Sequence, residues 1–316
     1  MQVGFDVIGD IHGHAQRLEA LLAAMDYRQR NGVWRHPERR ALFVGDFVDR
    51  GPENVRACRI AMAMTQAGSA LAVMGNHDFN AVCLATPDPA AFGSFLRPHT
   101  EKNLHQSSET RAEMERSPCE AAAVLAWLRR LPLWIEREDA RVAHACWSTK
   151  AIAALAPFVD AEGALTEEGL VRAARKGDPM QQAREVLLNG PEADLPAGVS
   201  YLDADGHLRR SARLAWWKPM DGAVTWRDAV HADDQVLAQL PHAPVPGGLS
   251  SLFDPFNASR VATCPIFFGH YWMSHPLTLQ GPGLACVDAS VAKDGKLAAY
   301  RYSGEPELSA DRFVYA

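Results

Sequence analysis

The chain has 316 residues, of which 47% are hydrophobic and 22% charged, the proportions of an ordinary globular protein. These values exclude a disordered, collagen-like or low-complexity chain. A net charge of −6 gives no general attraction for nucleic acid or for anionic lipid. The length suits about two domains, or one large α/β domain with insertions.

The cysteines and the amino-terminal residues bear on the location of the protein. The six cysteines are widely spaced and contain no C-x-x-C pair, which predicts reduced thiols. The first residues lack the basic and apolar segments of a signal peptide, and no apolar stretch reaches the roughly 18 residues needed to span a bilayer. The sequence therefore predicts a soluble, cytoplasmic protein without a membrane partner.

Strands and helices alternate in the first part of the chain. Apolar runs predict strands over residues 3–8, 41–44 and 70–74. Between them, apolar residues at helical spacing predict helices over 16–25 and 53–67. This alternation indicates β-α-β units and a largely parallel sheet.

Two later segments interrupt this pattern, and we interpret them as insertions at about 85–130 and 148–246. The first contains a helical pattern over 109–130, and the second a hairpin over 199–209 around Asp205-Gly206. Further strands are predicted at 131–136, 141–145, 265–268, 284–287 and 297–302. Residues 1–316 are thus predicted to form a single domain with helical caps.

Five predicted strands end in polar clusters: Gly9-Asp10-Ile11-His12-Gly13, Gly45-Asp46-Phe47-Val48-Asp49-Arg50-Gly51, Gly75-Asn76-His77-Asp78, Ala143-His144 and Gly269-His270. Because the carboxyl ends of parallel strands open onto one crevice, we expect these clusters to converge. Asp, His and Asn suit Mn²⁺, Fe or Zn²⁺, and their number exceeds what one tetrahedral ion uses. The sequence therefore predicts two metal ions and hydrolysis at phosphorus by a metal-bound hydroxide.

The first three clusters resemble the blocks G-D-x-H-G, G-D-x-V-D-R-G and G-N-H-[DE] of the calcineurin-like metallophosphoesterases, and within them of the phosphoprotein phosphatase branch. The blocks stand complete and in order at 9–13, 45–51 and 75–78. The resemblance implies an α/β sandwich of two facing mixed β-sheets flanked by helices, with helical insertions at the entrance to the site.

The resemblance also implies a role for each motif residue. The implied metal ligands are Asp10 and His12 for the first ion, Asp46 as the bridge, and Asn76, His144 and His270 for the second ion. The implied residues acting on the phosphate are His77 as proton donor, Asp49 as the carboxylate that orients it, and Arg50 as the phosphate-binding guanidinium. The cofactor implied is a pair of divalent ions, Mn²⁺ first, with Fe, Zn or Ni as alternatives.

The chain departs from the family pattern at several positions. The His-Gly-Gly block is His144-Ala145-Cys146, and the third block ends in Asp78, which we interpret as a loop cap. A second phosphate-binding arginine has no clear position, and Arg213 and Lys218 are the candidates. Trp272 occupies the second histidine position of the G-H-x-H pattern found in many related nucleases.

Several functions remain open at this point. The motifs favour a phosphatase that acts on phosphoserine or phosphothreonine, and the alternative substrate is a dinucleoside polyphosphate such as diadenosine tetraphosphate. The alternative outside the enzymes is a degenerate phosphate-binding scaffold, which the complete set of motif residues disfavours. The negative charge and Trp272 disfavour a nuclease.

Overall fold

A computed structural model of the chain describes residues 4–202, 208–218, 224–245, 264–293 and 295–316. Two mixed β-sheets face each other across a shared core, and helices pack on the outer side. The predicted α/β class with two mixed sheets is confirmed.

The strands among these residues are mostly short. In chain order they are β1 (Gly4–Ile8), β2 (Arg28–Arg30), β3 (Val33–Arg35), β4 (Arg39–Phe43), β5 (Ala70–Ala72), β6 (Trp134–Glu136), β7 (Arg141–Ala143), β8 (Glu192–Asp194), β9 (Tyr201–Leu202), β10 (Leu208–Arg209), β11 (Ser211–Arg213), β12 (Ile266–Phe268), β13 (Leu284–Cys286), β14 (Ala298–Tyr302) and β15 (Phe313–Tyr315).

The α-helices connect these strands or form the caps. In chain order they are α1 (Ala15–Ala24), α2 (Asn54–Gln66), α3 (Asn76–Ala85), α4 (Glu101–Gln106), α5 (Ser108–Arg116), α6 (Pro118–Arg129), α7 (Thr149–Leu155), α8 (Glu167–Ala174), α9 (Pro179–Asn189), α10 (Trp226–Ala229) and α11 (Asp234–Gln239).

The first sheet has the strand order β15-β14-β1-β4-β5. Strands β1, β4 and β5 are parallel, with Val7 opposite Leu42 and Leu42 opposite Leu71. Strands β14 and β15 join antiparallel at the other edge. The parallel part coincides with the predicted β-α-β units, so the carboxyl ends of β1, β4 and β5 share one edge.

The second sheet has the order β13-β12-β7-β6. Strand β12 runs parallel to both β13 and β7, whereas β6 is antiparallel to β7. The strand pair predicted over 131–136 and 141–145 is therefore confirmed. The carboxyl ends of β7 and β12, which precede His144 and His270, also lie side by side.

Alternation along β1 explains how the two sheets pack. Phe5 and Val7 belong to the same apolar cluster as Val142 and Phe267 of the second sheet. Ile8 points to the opposite face and joins the cluster beneath the helices. Successive side chains of a strand point to opposite faces, so this short strand contributes to both cores.

The helical predictions hold with one correction. Leu18, Leu21 and Leu22 of α1 are fully buried, as the predicted apolar stripe requires. The stretch 109–130 is not one continuous helical element, because α5 and α6 meet at Ser117. Pro118 occupies the first position of α6, where a backbone N–H is not needed for the helix. Its ring disfavours a helical conformation of the residue before it, which separates α6 from α5.

Part of the second predicted insertion has a small core of its own. Trp226 and Leu214 are buried there with Ala193 and Leu240. Strands β9 and β10 pair antiparallel, which confirms the hairpin predicted over 199–209, although its turn lies outside the described residues. The single-domain organisation and the boundaries of the insertions stay predictions. Among the described residues, no helix has the length and apolarity to cross a membrane.

Candidate metal centre

The structure brings all nine predicted site residues to one edge of the two sheets. Asp46 lies at the centre of the group, and its side chain is almost completely buried. Its Oδ2 atom is 3.5 Å from Nε2 of His12 and 3.3 Å from Nε2 of His144. Its Oδ1 atom accepts a hydrogen bond from the backbone N–H of His77 at 2.9 Å. One carboxylate therefore faces histidines from three different segments.

Two groups of metal-ligand atoms share Asp46. His12, Asp46 and His77 form one group, and Asp46, His144 and His270 form the other, each with ligand atoms within 4.8 Å of one another. A carboxylate common to both groups is the arrangement that a bridging ligand requires. The first group contains His77, which the family resemblance implies is a proton donor and not a ligand.

Asp10 and Asn76 complete the cluster. The backbone N–H of His270 donates to Oδ2 of Asp10 at 3.0 Å. The Oδ1 atom of Asn76 lies 3.1 Å from Nε2 of His144. Asn76 therefore contacts a ligand atom of the second group, and Asp10, which the family resemblance assigns to the first ion, contacts the backbone of a residue of the second group.

Backbone carbonyls fix the orientation of two histidines. Nδ1 of His12 is 3.0 Å from the carbonyl oxygen of Val48, and Nδ1 of His144 is 2.8 Å from that of Val44. A carbonyl oxygen only accepts, so Nδ1 carries a proton in each ring, and Nε2, which faces Asp46, is the atom that can bind a cation. Nε2 of His270 is buried and has no hydrogen-bond partner among the described residues, as expected of an atom that binds a cation.

The electrostatics of the cluster favour positive charge at its centre. Burial opposes protonation of His144, but the Asp46 and Asp10 carboxylates outweigh it and raise the pKa to about 10. Burial tends to raise the pKa of Asp46, yet His144 and His77 hold it well below its usual value. At His12 burial prevails and lowers the pKa to about 4. The donor atoms and this potential fit divalent cations.

Five of these residues adopt left-handed backbone conformations. Their φ angles are 45° at His12, 52° at Asp46, 69° at Asp49, 75° at Arg50 and 72° at His270. Such conformations are uncommon for residues other than glycine, and they persist where the surrounding structure fixes them. They occur where the chain leaves β1, β4 and β12, at the edge of the sheets where the site lies.

Two glycines allow the segments to approach each other. A Cβ atom on Gly75 would collide with the Asp46 carboxylate, and one on Gly269 would collide with the Asp10 carboxylate. Neither position has room for a larger residue without displacing a predicted ligand. The glycines that precede Asn76 and His270 therefore serve close packing of the centre.

His77, Asp49 and Thr110 form a chain of hydrogen bonds beside the centre. Nδ1 of His77 lies 2.7 Å from Oδ2 of Asp49. The hydroxyl of Thr110 donates to Oδ1 of Asp49 at 2.7 Å and accepts from the backbone N–H of Asp49 at 3.0 Å. Burial tends to lower the pKa of His77, but Asp46 and Asp49 raise it above its usual value. Thr110 lies in α5, and no motif in the sequence identifies it.

Replacing Thr110 by valine should reduce turnover by about 10- to 100-fold, the typical effect of losing an outer hydrogen bond to a site residue. Valine keeps the shape of the side chain but leaves Oδ1 of Asp49 without its donor. Steady-state kinetics and metal analysis of the Thr110→Val variant test this. Metal content should be unchanged, and Thr110→Ser should restore most of the activity. Failure of serine to restore it would indicate that the methyl group, and hence packing, is what matters.

Asp78 caps the loops beneath the centre. Its carboxylate accepts hydrogen bonds from the backbone N–H groups of Asp46 at 2.8 Å, Phe47 at 2.9 Å and Gly75 at 2.9 Å. The interpretation of Asp78 as a loop cap is confirmed. Asp78 therefore links the second and third motifs and fixes the backbone at Asp46.

Asp288 is a further buried carboxylate beside the centre. Burial raises its pKa to about 6, and it contributes, after burial itself, to the raised pKa of Asp10. Its oxygens accept from the backbone N–H groups of Trp272 and Ser290, each at 2.8 Å. Asp288 follows β13 as the other site residues follow their strands, so the same pattern in the sequence pointed to it.

Of the three cations predicted to bind phosphate, two lie near the centre. Arg50 is exposed, and its charge acts on the pKa of both His12 and His77. Arg213 is the leading contribution after burial to the lowered pKa of His270. Lys218 is exposed and donates to the carbonyl oxygen of Asp228 at 2.9 Å. The electrostatic effect on His270 therefore favours Arg213 over Lys218.

Comparison with known proteins finds a family that resembles the first part of this chain. Residues 4–130 match the family model described as calcineurin-like phosphoesterase. Residues 4–130 are thus similar to the calcineurin-like metallophosphoesterases, a class whose members use a dinuclear centre of divalent metal ions. The predicted resemblance is confirmed.

Particular relatives are similar over different parts of the chain. The symmetrical bis(5'-nucleosyl)-tetraphosphatase of Ralstonia nicotianae is 26% identical over 95% of this chain and 89% of its own length. The asymmetrical bis(5'-nucleosyl)-tetraphosphatases PrpE of Halalkalibacterium halodurans and Bacillus velezensis are 40% and 32% identical. The match to the Halalkalibacterium halodurans protein covers 23% of this chain and 30% of that protein. The match to the Bacillus velezensis protein covers 45% of this chain and 56% of that protein. The chain thus spans less than two thirds of the length of these two relatives.

Among solved structures, a cold-active protein-tyrosine phosphatase of a psychrophilic Shewanella species matches with a TM-score of 0.47 and 16% identity. That match covers 100% of this chain and 80% of the other. A protein serine/threonine phosphatase from Saccharomyces cerevisiae matches with a TM-score of 0.41 and 15% identity, over 99% and 79% of the two chains.

Proposed function

We propose that the protein is a metal-dependent hydrolase of phosphate esters or anhydrides. The observation that carries the proposal is the position of Asp46 between two groups of ligand atoms, with the His77–Asp49 pair beside it. A cation site without catalysis would not need a histidine that is hydrogen-bonded to a carboxylate of its own. This pair argues against the degenerate scaffold.

In this proposal six residues hold two divalent ions, with Mn²⁺ as the first choice. Asp10 and His12 would hold one ion, Asn76, His144 and His270 would hold the other, and Asp46 would be shared by both. When bound, the ions supply an activated water and stabilise charge on the phosphoryl oxygens. A cytoplasmic location stays a prediction from the sequence.

The chain's own groups position the phosphate and move the proton. Arg50 is exposed at the rim of the centre and binds phosphoryl oxygens through its planar guanidinium. Asp49 holds Nδ1 of His77, so Nε2 points away from Asp49 and donates a proton to the leaving oxygen. Arg213 supplies a second positive charge on the side of His270.

Of the two substrates left open by the sequence, we favour a dinucleoside polyphosphate. The relative from Ralstonia nicotianae, which is similar along nearly the whole chain, is named for hydrolysis of such a compound. A phosphorylated serine or threonine is the second candidate, supported by the complete Asp49-Arg50 motif.

Parallel assays on three substrates test the proposal. Metal-stripped protein reconstituted with Mn²⁺ is supplied with p-nitrophenyl phosphate, a phosphoserine peptide and diadenosine tetraphosphate. We expect kcat/KM for diadenosine tetraphosphate to exceed the others by about 100-fold or more. A preference for the peptide would transfer the assignment to the protein phosphatases. Absence of turnover on all three substrates, with two metal ions bound, would overturn the proposed hydrolase activity.

A further inference from the structure

Trp272 lies at the edge of the centre with two cations against its indole ring. Cζ of Arg50 is 4.8 Å and Nζ of Lys293 is 3.9 Å from the ring centroid. The three residues belong to different segments, which follow β4, β12 and β13. Contacts between a cation and an aromatic ring stabilise each placement, so the ring gathers two positive charges into one small patch.

Hydrogen bonds tie the segments of Trp272 and Lys293 together. The backbone N–H of Trp272 donates to Asp288 at 2.8 Å, and the hydroxyl of Ser290 donates to the carbonyl oxygen of Met273 at 3.0 Å. The backbone N–H of Lys293 donates to the carbonyl oxygen of Ser290 at 2.8 Å. Trp272 has a φ of 44°, a left-handed conformation that is rare for a bulky side chain and that these bonds hold in place.

The two cations at this ring are available to an anion. Arg50 and Lys293 are exposed, and neither forms an ion pair within the described part of the chain. Two like charges on one ring repel each other, and a bound anion relieves that repulsion. This positive patch contrasts with the net charge of the whole chain, which is −6.

We propose that Trp272 and Lys293, beside Arg50, form a subsite for the phosphoryl group next to the one that is cleaved. The protein would thereby select phosphoanhydrides over phosphate monoesters, an inference that rests on the proposed function. A monoester has one phosphoryl group, which Arg50 and the centre bind, and it leaves Lys293 without an anion. In a phosphoanhydride the leaving group carries a phosphate of its own, which reaches the charge of Lys293.

Binding of two phosphonates tests the subsite without turnover. Methylenediphosphonate carries two phosphoryl groups joined through a methylene carbon, whose bonds to phosphorus are not hydrolysed. Methylphosphonate carries one phosphoryl group. Calorimetric titration of the Mn²⁺-loaded protein should show that Lys293→Gln weakens binding of the diphosphonate by about tenfold, the effect of one charge-assisted contact. Binding of methylphosphonate should change by less than about twofold.

Two further variants complete the experiment. Lys296→Gln removes the same charge from an exposed position three residues away and should alter neither titration. Trp272→Leu removes the ring that places both cations and should also weaken the diphosphonate selectively. Equal weakening of both ligands by Lys293→Gln, or none, would overturn the subsite. Failure of the proposed function shows separately, as absence of hydrolysis by the unaltered protein.

Discussion

Replacing His77 by asparagine is expected to lower kcat by about 10²- to 10⁴-fold, the typical contribution of a positioned general acid. Asparagine cannot donate a proton to a leaving oxygen at a useful rate. The Asp49 carboxylate, which lies 2.7 Å from His77, would then have no histidine to orient. Steady-state kinetics of the Mn²⁺-loaded variant with a phosphoserine peptide, whose alkoxide leaving group needs a proton, measure the loss.

Metal analysis of the same variant decides between two roles of His77. His77 lies in one group with His12 and Asp46, so its ring is near enough to bind an ion. If it donates a proton, His77→Asn retains both ions. A parallel loss of metal and activity would make it a ligand instead. His105→Asn, which changes an exposed histidine of α4, is the matched control and should leave both quantities unchanged.

A substrate with a good leaving group sharpens this prediction. The p-nitrophenolate anion leaves readily without a proton, whereas an alkoxide does not. His77→Asn should therefore impair hydrolysis of p-nitrophenyl phosphate much less than hydrolysis of a phosphoserine peptide. Equal impairment of both substrates would argue that His77 binds the phosphoryl group or a metal ion.

The predicted ligands were accessible from the sequence because each follows a strand. Asp10, Asp46 and His144 come directly after apolar runs, and parallel strands bring their carboxyl ends to one edge. Asp288 obeys the same rule after β13 but belongs to no family block, so it was overlooked. The rule that site residues follow strand ends therefore identifies more of the site than the family motifs do.

Thr110 shows what the sequence could not provide. It is 61 residues from Asp49 along the chain and lies within a helix. Its position depends on how α5 docks against α2, where Glu113 accepts hydrogen bonds from the backbone N–H groups of Asn54 and Val55, each at 2.9 Å. Such a contact joins two helices, and the spacing of residues within either helix does not encode it.

The left-handed residues illustrate a second limit. Local preference places residues such as His12 and Arg50 in other backbone conformations, and only the packed loops hold them at positive φ. The contact of Trp272 with Arg50 and Lys293 depends on these same turns. Motifs identify the residues that carry chemistry, whereas the turns decide which of their neighbours reach the substrate.

Replacing Asp46 by asparagine should have the largest effect, because this side chain belongs to both groups of ligand atoms. Asparagine keeps the size of the side chain but removes the charge that attracts both ions. We expect activity to fall by on the order of 10³-fold or more, as when a main electrostatic contact of an active site is removed. Metal analysis after gel filtration should show fewer than two ions per chain. Asp26→Asn, at an exposed position, should leave activity and metal content unchanged.

The same variant has a consequence that appears without any metal. Asp46 is the main cause, against burial, of the raised pKa of His144, which is about 10. Asp46→Asn should therefore lower the pKa of His144 in metal-stripped protein, because burial still disfavours the protonated ring and the main carboxylate that favours it is gone. Titration of the histidine resonances by nuclear magnetic resonance measures this shift. If activity were lost while the pKa of His144 stayed high, Asp46 would not be the charge at the middle of the cluster, and the bridging assignment would fail with it.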